Sequence, residues 1–292
     1  MSYSSVDSPR RQRLRPRLLL VALLALGLLY PAAGSAVGGT PSVSLRGPAR
    51  VAVGQPITLV LSARNVRDVA GYEATLSFDR SAAHFGSLEQ RSNDLRAGGR
   101  GILPFGGEET AAGVAFGAAS CPVRDCVSRR GERVRGGRHG TVKLARIQIT
   151  PDRPGRLQLR LGALKVVDAS GRPVAVSVPR SVVTVVVGSG GTPHAAPRTA
   201  WSLGSESRVS RTADVTGDGL VTNADAMELV TGWTLARLDD RPCSTAIDAR
   251  LDLNGDGCLD VADLQILAAA YSSAAARRAA PAGAAAGPQP KG

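Results

Sequence analysis

The clearest chemistry in this chain lies in two short runs of oxygen-bearing side chains. Asp214, Thr216, Asp218, Thr222 and Asp225 stand at positions 1, 3, 5, 9 and 12 of the first run. Asp252, Asn254, Asp256, Asp260 and Asp263 repeat the pattern 38 residues later. Alternate residues of a tight loop turn their side chains toward one centre. A hard cation such as calcium takes about six to eight oxygen ligands, at about 2.3–2.6 Å. The residue at position 7 lends its backbone carbonyl, which adds Leu220 and Cys258 to the two ligand sets and leaves their side chains free. Glycine at position 6, Gly219 and Gly257, permits the sharp turn. Position 12 is Asp rather than the usual Glu, a shorter carboxylate that reaches the ion with a water or a small loop shift. Position 8 is apolar in both copies (Val221, Leu259), so the two loops are expected to pair across a short bridge. Two calcium ions are the expectation.

Each loop must be held by the segment on its C-terminal side. Met227, Val230 and Trp233 fall three apart after the first loop. Leu264, Leu267 and Tyr271 come after the second at three-four spacing, with Ile266 beside them. These residues read as the mutual core of a two-helix unit. No entering helix is legible before either loop, so each is half of an EF-hand.

The remainder of the chain reads differently. From 42 to 187 the apolar residues alternate: Ile57, Leu59, Leu61; Tyr72, Ala74, Leu76, Phe78; Val142, Leu144, Ile147, Ile149; Leu157, Leu159, Leu161; Val174, Val176; then Val182 to Val187. Period-two runs broken by Gly, Pro and Asn turns predict a β-sandwich of eight or nine strands. The fold class is therefore mainly β with a small α part. Residues 188–211 are rich in Gly, Ser, Thr, Pro and Ala, carry Trp201, and read as a linker. Residues 212–272 hold the two loops, and 273–292 form a low-complexity tail expected to be disordered.

Composition narrows the function classes. Of 292 residues, 43% are hydrophobic and 21% charged, enough for a buried core. Aromatics are only 3%, which argues against a stacking platform for bases or sugars. The net charge of +12 is an average of unlike parts. Residues 37–211 carry 25 Lys and Arg against 12 Asp and Glu (+13), and residues 212–275 carry 3 against 11 (−8). Five arginines between Arg10 and Arg17 precede an apolar run, Leu18–Tyr30, too short to span a bilayer, and then Gly34-Ser35-Ala36. That order is a secretory signal peptide over 1–36, with no stable membrane insertion after its removal. A secreted, extracellular protein is expected, and its four cysteines suit an oxidising compartment. Three disulfide pairings are open. Neighbour pairing, Cys121–Cys126 and Cys243–Cys258, keeps each bridge within one part and is favoured.

The duplicated half EF-hand resembles the dockerin domain over about 212–272. The stretches VAVGQPITLVLSARNVRDVAGYEATLSFDR and GTVKLARIQITPDRPGRLQLRLGALKVVDASGRPVAV resemble the cohesin domain over about 42–187, as a jelly-roll type sandwich. Cohesins and dockerins are the receptor and plug of extracellular assemblies such as cellulosomes. The resemblance implies a secreted, non-catalytic adaptor, binding cohesin- or dockerin-bearing proteins through calcium-dependent contacts, with a role in polysaccharide degradation. The recognition positions 10 and 11 of the dockerin pattern fall on Asn223, Ala224, Val261 and Ala262, not on the family's frequent Ser-Thr pair. Positions 17 and 18 are Val230-Thr231 and Ala268-Ala269 rather than basic. Partner contacts are therefore expected to differ from those of a standard cellulosomal cohesin.

Other features are weaker. Arg124, Arg129, Arg130, Arg133, Arg135 and Arg138 crowd a Gly-rich stretch and read as a solvated insertion or an anion-binding loop. Without interleaved aromatics they do not suggest nucleic acid. His84, His139 and His194 are scattered, and no nucleophile or metalloprotease motif is present. The sandwich carboxylates Glu73, Asp79, Glu89, Glu108 and Glu109 read as surface or turn residues. Two alternatives remain: a carbohydrate-binding sandwich carrying a dockerin tag, marked by exposed coplanar aromatics, or a hydrolase component, marked by two carboxylates about 5–9.5 Å apart in a cleft. Opposite charges favour association of the two parts, within one chain or head to tail. A foreign partner is the expectation, because a chain that satisfies its own receptor assembles nothing.

Overall fold

The alternating runs do form strands, in the order β1 (Ser42–Arg46), β2 (Arg50–Ala52), β3 (Ile57–Ser77), β4 (Ala83–Glu89), β5 (Gly101–Thr110), β6 (Gly113–Cys121), β7 (Arg138–Pro151), β8 (Gly155–Asp168), β9 (Ser177–Arg180) and β10 (Val182–Gly188). Two helices come next, α1 (Asn223–Leu238) and α2 (Val261–Ala279). The structure is a computed structural model. It describes residues 39–279 apart from 91–92, 112, 123–125, 127–135, 190–212 and 245–246, with the backbone alone from 271. The targeting segment 1–36, Trp201 with nearly all of the linker, five of the six clustered arginines and the tail from 280 lie outside the described residues.

One strand organises the sandwich. β3 is 21 residues long, and its two halves belong to different layers. Its first half pairs with β1 and β7, and its second half with β8 and β6, all antiparallel. Asn65 (φ 53°) and Asp68 (φ 59°) stand between the halves in the left-handed region, where the ladder to β7 shifts register. A left-handed residue interrupts pairing and turns the strand, which lets it pass from one layer to the next. The first layer runs β9-β1-β3-β7-β4 and the second β2-β10-β8-β3-β6-β5. Leu45, Leu59, Leu61, Ile147 and Ile149 meet Tyr72, Leu76, Phe116, Leu157, Leu159 and Val185 in the core between them.

The strand reading needs three corrections. Ten strands form among the described residues rather than eight or nine, since β4, β5 and β6 carry no clean apolar alternation. The strand expected at Val174 and Val176 starts only at Ser177, because Pro173 precedes it and Val174 is held by a single backbone bond to Val166. The third concerns β8. Thr75 of β3 faces Gly162 while Glu73 faces Lys165, so β8 carries one extra residue at a bulge where Ala163 has φ 42°. Before the bulge Leu157, Leu159 and Leu161 face the core. After it Val166 faces the core, and Lys165 and Val167 turn to the outer face.

Burial along the strands shows where the helices lie. β10 alternates buried and open residues, as a sheet with one wet face should. β6 is buried at all nine positions. Val114, Phe116 and Ala118 enter the sandwich core, and Ala115, Ala119 and Cys121 enter a second core shared with the helices. That second core joins Leu103, Phe105 and Val167 of the sandwich to Leu229, Trp233, Val261, Leu264 and Leu267 of the helical part. The acidic part thus sits on the outer face of its own chain's sandwich, where the sequence points to a foreign partner. No helix among the described residues is long and apolar enough to cross a membrane.

The helices differ from expectation in one face. Met227 is 56% exposed, and α1 is buried through Ala226, Leu229 and Trp233. Residues three apart drift about 60° around a helix at every step, so Met227 falls off the face that Trp233 buries and Val230 stays at its edge, partly buried against the second core. The three-four spacing of 226, 229 and 233 holds one face.

Candidate docking interface and metal loops

Small residues prepare the outer face of β3 and β6 for close approach. Gly71 leaves room for α2, and Gly117 leaves room for the Phe105 ring, which a Cβ there would overlap. A Cβ added at Gly71 would come within 2.8 Å of Val167 and 3.0 Å of Val261. At the centre stands Glu73, which is 6% exposed rather than the surface residue its type suggests. Its carboxylate accepts three hydrogen bonds, all from the helical part. Trp233 Nε1 donates to Oε2 at 2.9 Å, the Val261 amide donates to Oε2 at 2.9 Å, and Arg237 Nη2 donates to Oε1 at 2.6 Å. Val261 is the first residue of α2, so the carboxylate also meets the positive end of that helix. Burial pushes the Glu73 carboxyl up. The Arg237 guanidinium and the Trp233 bond oppose this, and nearby Asp260 adds to it.

Around Glu73 the contact is apolar and ordered. Phe105 meets Trp233 edge to face at 4.9 Å, and the Arg237 guanidinium lies 5.0 Å over the Trp233 ring. Gln265 is fully buried and pairs with the backbone of Ser120 as a strand neighbour would. Its Nε2 donates to the carbonyl at 3.0 Å, and its Oε1 accepts from the amide at 3.1 Å. Lys165 bonds Asp260 and lies 3.6 Å from Asp256. Burial alone would lower the Lys165 ammonium, but the two carboxylates overcome it and hold the group above its ordinary value. A cavity of about 340 Å³ opens beside this contact, lined by Glu73, Thr75, Thr110, Arg237, Asp240 and Asp260 among others.

The two loops share most of their internal bonds. Asp214 Oδ1 accepts from the Gly217 amide at 2.8 Å and Oδ2 from Gly219 at 2.7 Å. Asp252 does the same with Gly255 at 2.8 Å and Gly257 at 2.9 Å. Asp218 and Asp256 each accept from the amide two residues on, at 2.7 and 2.9 Å. The position-12 carboxylates tie the loop shut. Asp225 accepts from the Thr216 amide at 2.9 Å and the Thr222 amide at 2.6 Å, and Asp263 from Leu253 at 2.8 Å and Asp260 at 2.9 Å. Gly219 and Gly257 have φ of 81° and 78°, the left-handed turn that glycine allows without strain.

The donor set suits calcium. All the gathered side chains are hard oxygen donors, and both position-12 carboxylates are fully buried. Burial pushes Asp263 up to about 7, its backbone hydrogen bonds acting the other way. A nearby dication would favour its ionised form. Asp256, Cys258 and Asp260 also form a tight group, but the Cys258 sulfur belongs to a disulfide and is no metal ligand. Asp260 is 5% exposed and both its oxygens are engaged at the interface: Oδ1 accepts from the Ala262 amide at 2.7 Å and Oδ2 takes the Lys165 ammonium.

Other expected residues fall into place around these. Cys121 is bonded to Cys126 and Cys243 to Cys258. The bridge expected between the loops at Val221 and Leu259 does not form. Cys258 instead pairs with Cys243, and the Leu259 amide donates to the Pro242 carbonyl, because the disulfide draws that segment alongside the second loop. Val261 and Ala262 are buried at the interface, whereas Asn223 is half-buried and Ala224 exposed. Tyr72, Phe105 and Phe116 are buried, and Phe78 and Phe85 pack on the core, so the described sandwich aromatics form no open stacking strip. No motif marks Glu73, Lys165 or Gln265 as a docking residue. Glu73 has one signal in the sequence, a lone charge inside VAGYEATL.

No protein-family model matches the chain, and no curated protein matches it. Among solved structures it is similar to a non-cellulosomal cohesin from the hyperthermophilic archaeon Archaeoglobus fulgidus, at 15% identity and a TM-score of 0.37, over 51% of this chain and 91% of that one. It is also similar to a chain of a type II cohesin-X-dockerin complex from Acetivibrio cellulolyticus, at 11% identity and a TM-score of 0.39, over 51% of this chain and 99% of that one. A type II cohesin domain from the cellulosome of Acetivibrio cellulolyticus gives 11% identity and a TM-score of 0.37, over 50% and 95%.

Proposed function

We propose that this chain is a secreted, non-catalytic adaptor in which a cohesin-like sandwich (about 42–187) receives a dockerin-like, calcium-binding module (about 212–272). A signal peptide over 1–36 exports it, and the linker 188–211 joins receptor to plug. The observation that carries this reading is Glu73. A buried sandwich carboxylate takes all three of its hydrogen bonds from the helical part. An unpaired buried charge is strongly disfavoured, so this face is built to be covered.

Two calcium ions belong to the same reading. Asp214, Thr216, Asp218, Thr222, Asp225 and the Leu220 carbonyl would hold one. Asp252, Asn254, Asp256, Asp260, Asp263 and the Cys258 carbonyl would hold the other. Bound calcium supplies positive charge that lets clustered carboxylates fold together, and this binding energy adds to stability. The module's own residues then do the docking: Val261 and Gln265 bond the strands, and Trp233 and Arg237 clasp Glu73. A dockerin-bearing partner reaching the same face must displace the chain's own module, which makes the adaptor self-covering until a competitor arrives. Its setting is an extracellular assembly acting on polysaccharide.

The test uses the full chain. Calorimetry should show two calcium sites, and small-angle scattering should show a smaller radius of gyration with calcium than with chelator. A chain that binds no calcium and keeps one radius in both conditions would sink the reading.

A further inference from the structure

The two loops differ in charge. The first carries three carboxylates, Asp214, Asp218 and Asp225, with hydroxyls at Thr216 and Thr222. The second carries four, Asp252, Asp256, Asp260 and Asp263, with an amide at Asn254. The extra carboxylate is Asp260 at position 9, and it is the one that the sandwich reaches. Lys165 bonds Asp260 Oδ2 and lies 3.6 Å from Asp256 Oδ2 at position 5. It can do so because the bulge at Ala163 turns it to the outer face, directly beside Glu73 in the ladder.

We infer that Lys165 is a tethered cation of the second loop, supplied by the other module, and that it links docking to calcium at that loop alone. With Lys165 counted, both loops present the same net charge. Undocked, the second loop is one charge more negative and binds calcium more tightly. Docked, the ammonium and the dication contend for the same carboxylates. A unit charge a few ångströms from a dication lowers its affinity about tenfold even with water-like screening. Coupling is reciprocal, so calcium at the second loop weakens the Lys165 contact by the same factor, offsetting part of the docking gained when calcium orders the module. The carboxylates of the first loop carry no ion pair among the described residues; the Arg250 guanidinium, paired with Asp248, reaches only the Val215 carbonyl of that loop. Seating the module therefore lowers calcium affinity at the second loop alone, and that loop reports whether the module is seated.

This inference rests on the calcium reading, and one experiment separates the two. The full chain and its Lys165→Met and Lys165→Arg variants are titrated with calcium by calorimetry. Two sites are expected, and Lys165→Met should tighten one of them about tenfold. The other site should not move, and Lys165→Arg should match the parent because it keeps the charge. Two sites that Lys165→Met leaves unchanged or weakens would overturn the coupling and leave the calcium sites standing. Equal tightening by Lys165→Arg would also overturn it, since charge would then not be the cause. No calcium binding by any of the three proteins overturns both readings.

Discussion

Asn223 and Ala224 of the first loop-helix copy are half-buried and exposed, whereas their counterparts Val261 and Ala262 are buried against the sandwich. Four residues on, Met227 of the first copy is 56% exposed and its counterpart Gln265 is fully buried. An apolar side chain thus lies outside, and a polar one inside, at the same place in a repeated unit. The loops before them fold alike, with the same amides on the same carboxylates. Local sequence sets the loop, and the surface a helix meets decides what its first turns must carry. Beside α2 lie the backbone groups of Ser120, which need a polar partner when covered.

The contrast breaks most completely at Glu73. Reversing its charge in Glu73→Lys sets a lysine against Arg237 and against the positive end of α2. Disrupting a buried pair from one side costs about 3–5 kcal/mol. We expect the module to come off the sandwich, so that denaturant unfolding shows two transitions where the parent shows one. A single transition at the parent midpoint would mean that the contact contributes little.

Matched substitutions test whether the second copy alone docks. Ala262→Arg places a long charged chain where Ala262 is 1% exposed, and overpacking with an unpaired charge costs at least about 3 kcal/mol. Ala224→Arg, at the equivalent exposed position, should stay within about 0.5 kcal/mol of the parent. Thermal unfolding of both variants gives the comparison, and equal losses would show that both copies are in contact.

How far the sequence reveals this depends on whether one face or two are covered. β10, the first half of β3 and the first half of β8 face water on one side, and their alternation is legible. β6 and the second half of β3 are covered on both sides, so their residues are small or apolar in both phases and the period disappears. Ala163 hides a further step: a bulge reverses the phase of β8, and only then does Lys165 point outward. The two acidic loops are legible in full because their oxygen side chains are local, fixed by spacing within 12 residues. The docking residues are not, because Glu73 and Trp233 are 160 residues apart and their pairing is decided by topology.

The disulfide sharpens the difference between the copies. Only the second loop is tied, through Cys258 at position 7 to Cys243, where the first has Leu220. The bridge closes a separation of 15 residues, worth about 3 kcal/mol in the chain-entropy model, less any native strain. The double variant Cys243→Ser/Cys258→Ser should lower the unfolding midpoint and increase amide exchange around the second loop while leaving the first unchanged. Loosening of both loops together would mean that the copies unfold as one unit rather than as separately anchored parts.

Exchanging Met227 and Gln265 gives the mildest comparison. In Gln265→Met the side chain keeps a similar length and loses both hydrogen bonds to Ser120. The Ser120 amide then loses its Gln265 partner, while the carbonyl keeps its bond from Arg100 Nη2 at 3.0 Å. Leaving buried backbone groups unsatisfied costs about 1–3 kcal/mol, and the flexible thioether recovers part of this by filling the same space. The reverse change, Met227→Gln, removes an exposed apolar side chain and breaks no hydrogen bond in the structure, so it should be near neutral. In urea, Gln265→Met should lower the midpoint with little change in slope, and Met227→Gln should leave it within error. If the two shifts were alike, the polar pairing of α2 with β6 would not distinguish the copies, and the asymmetry would rest on Glu73 and Lys165 alone.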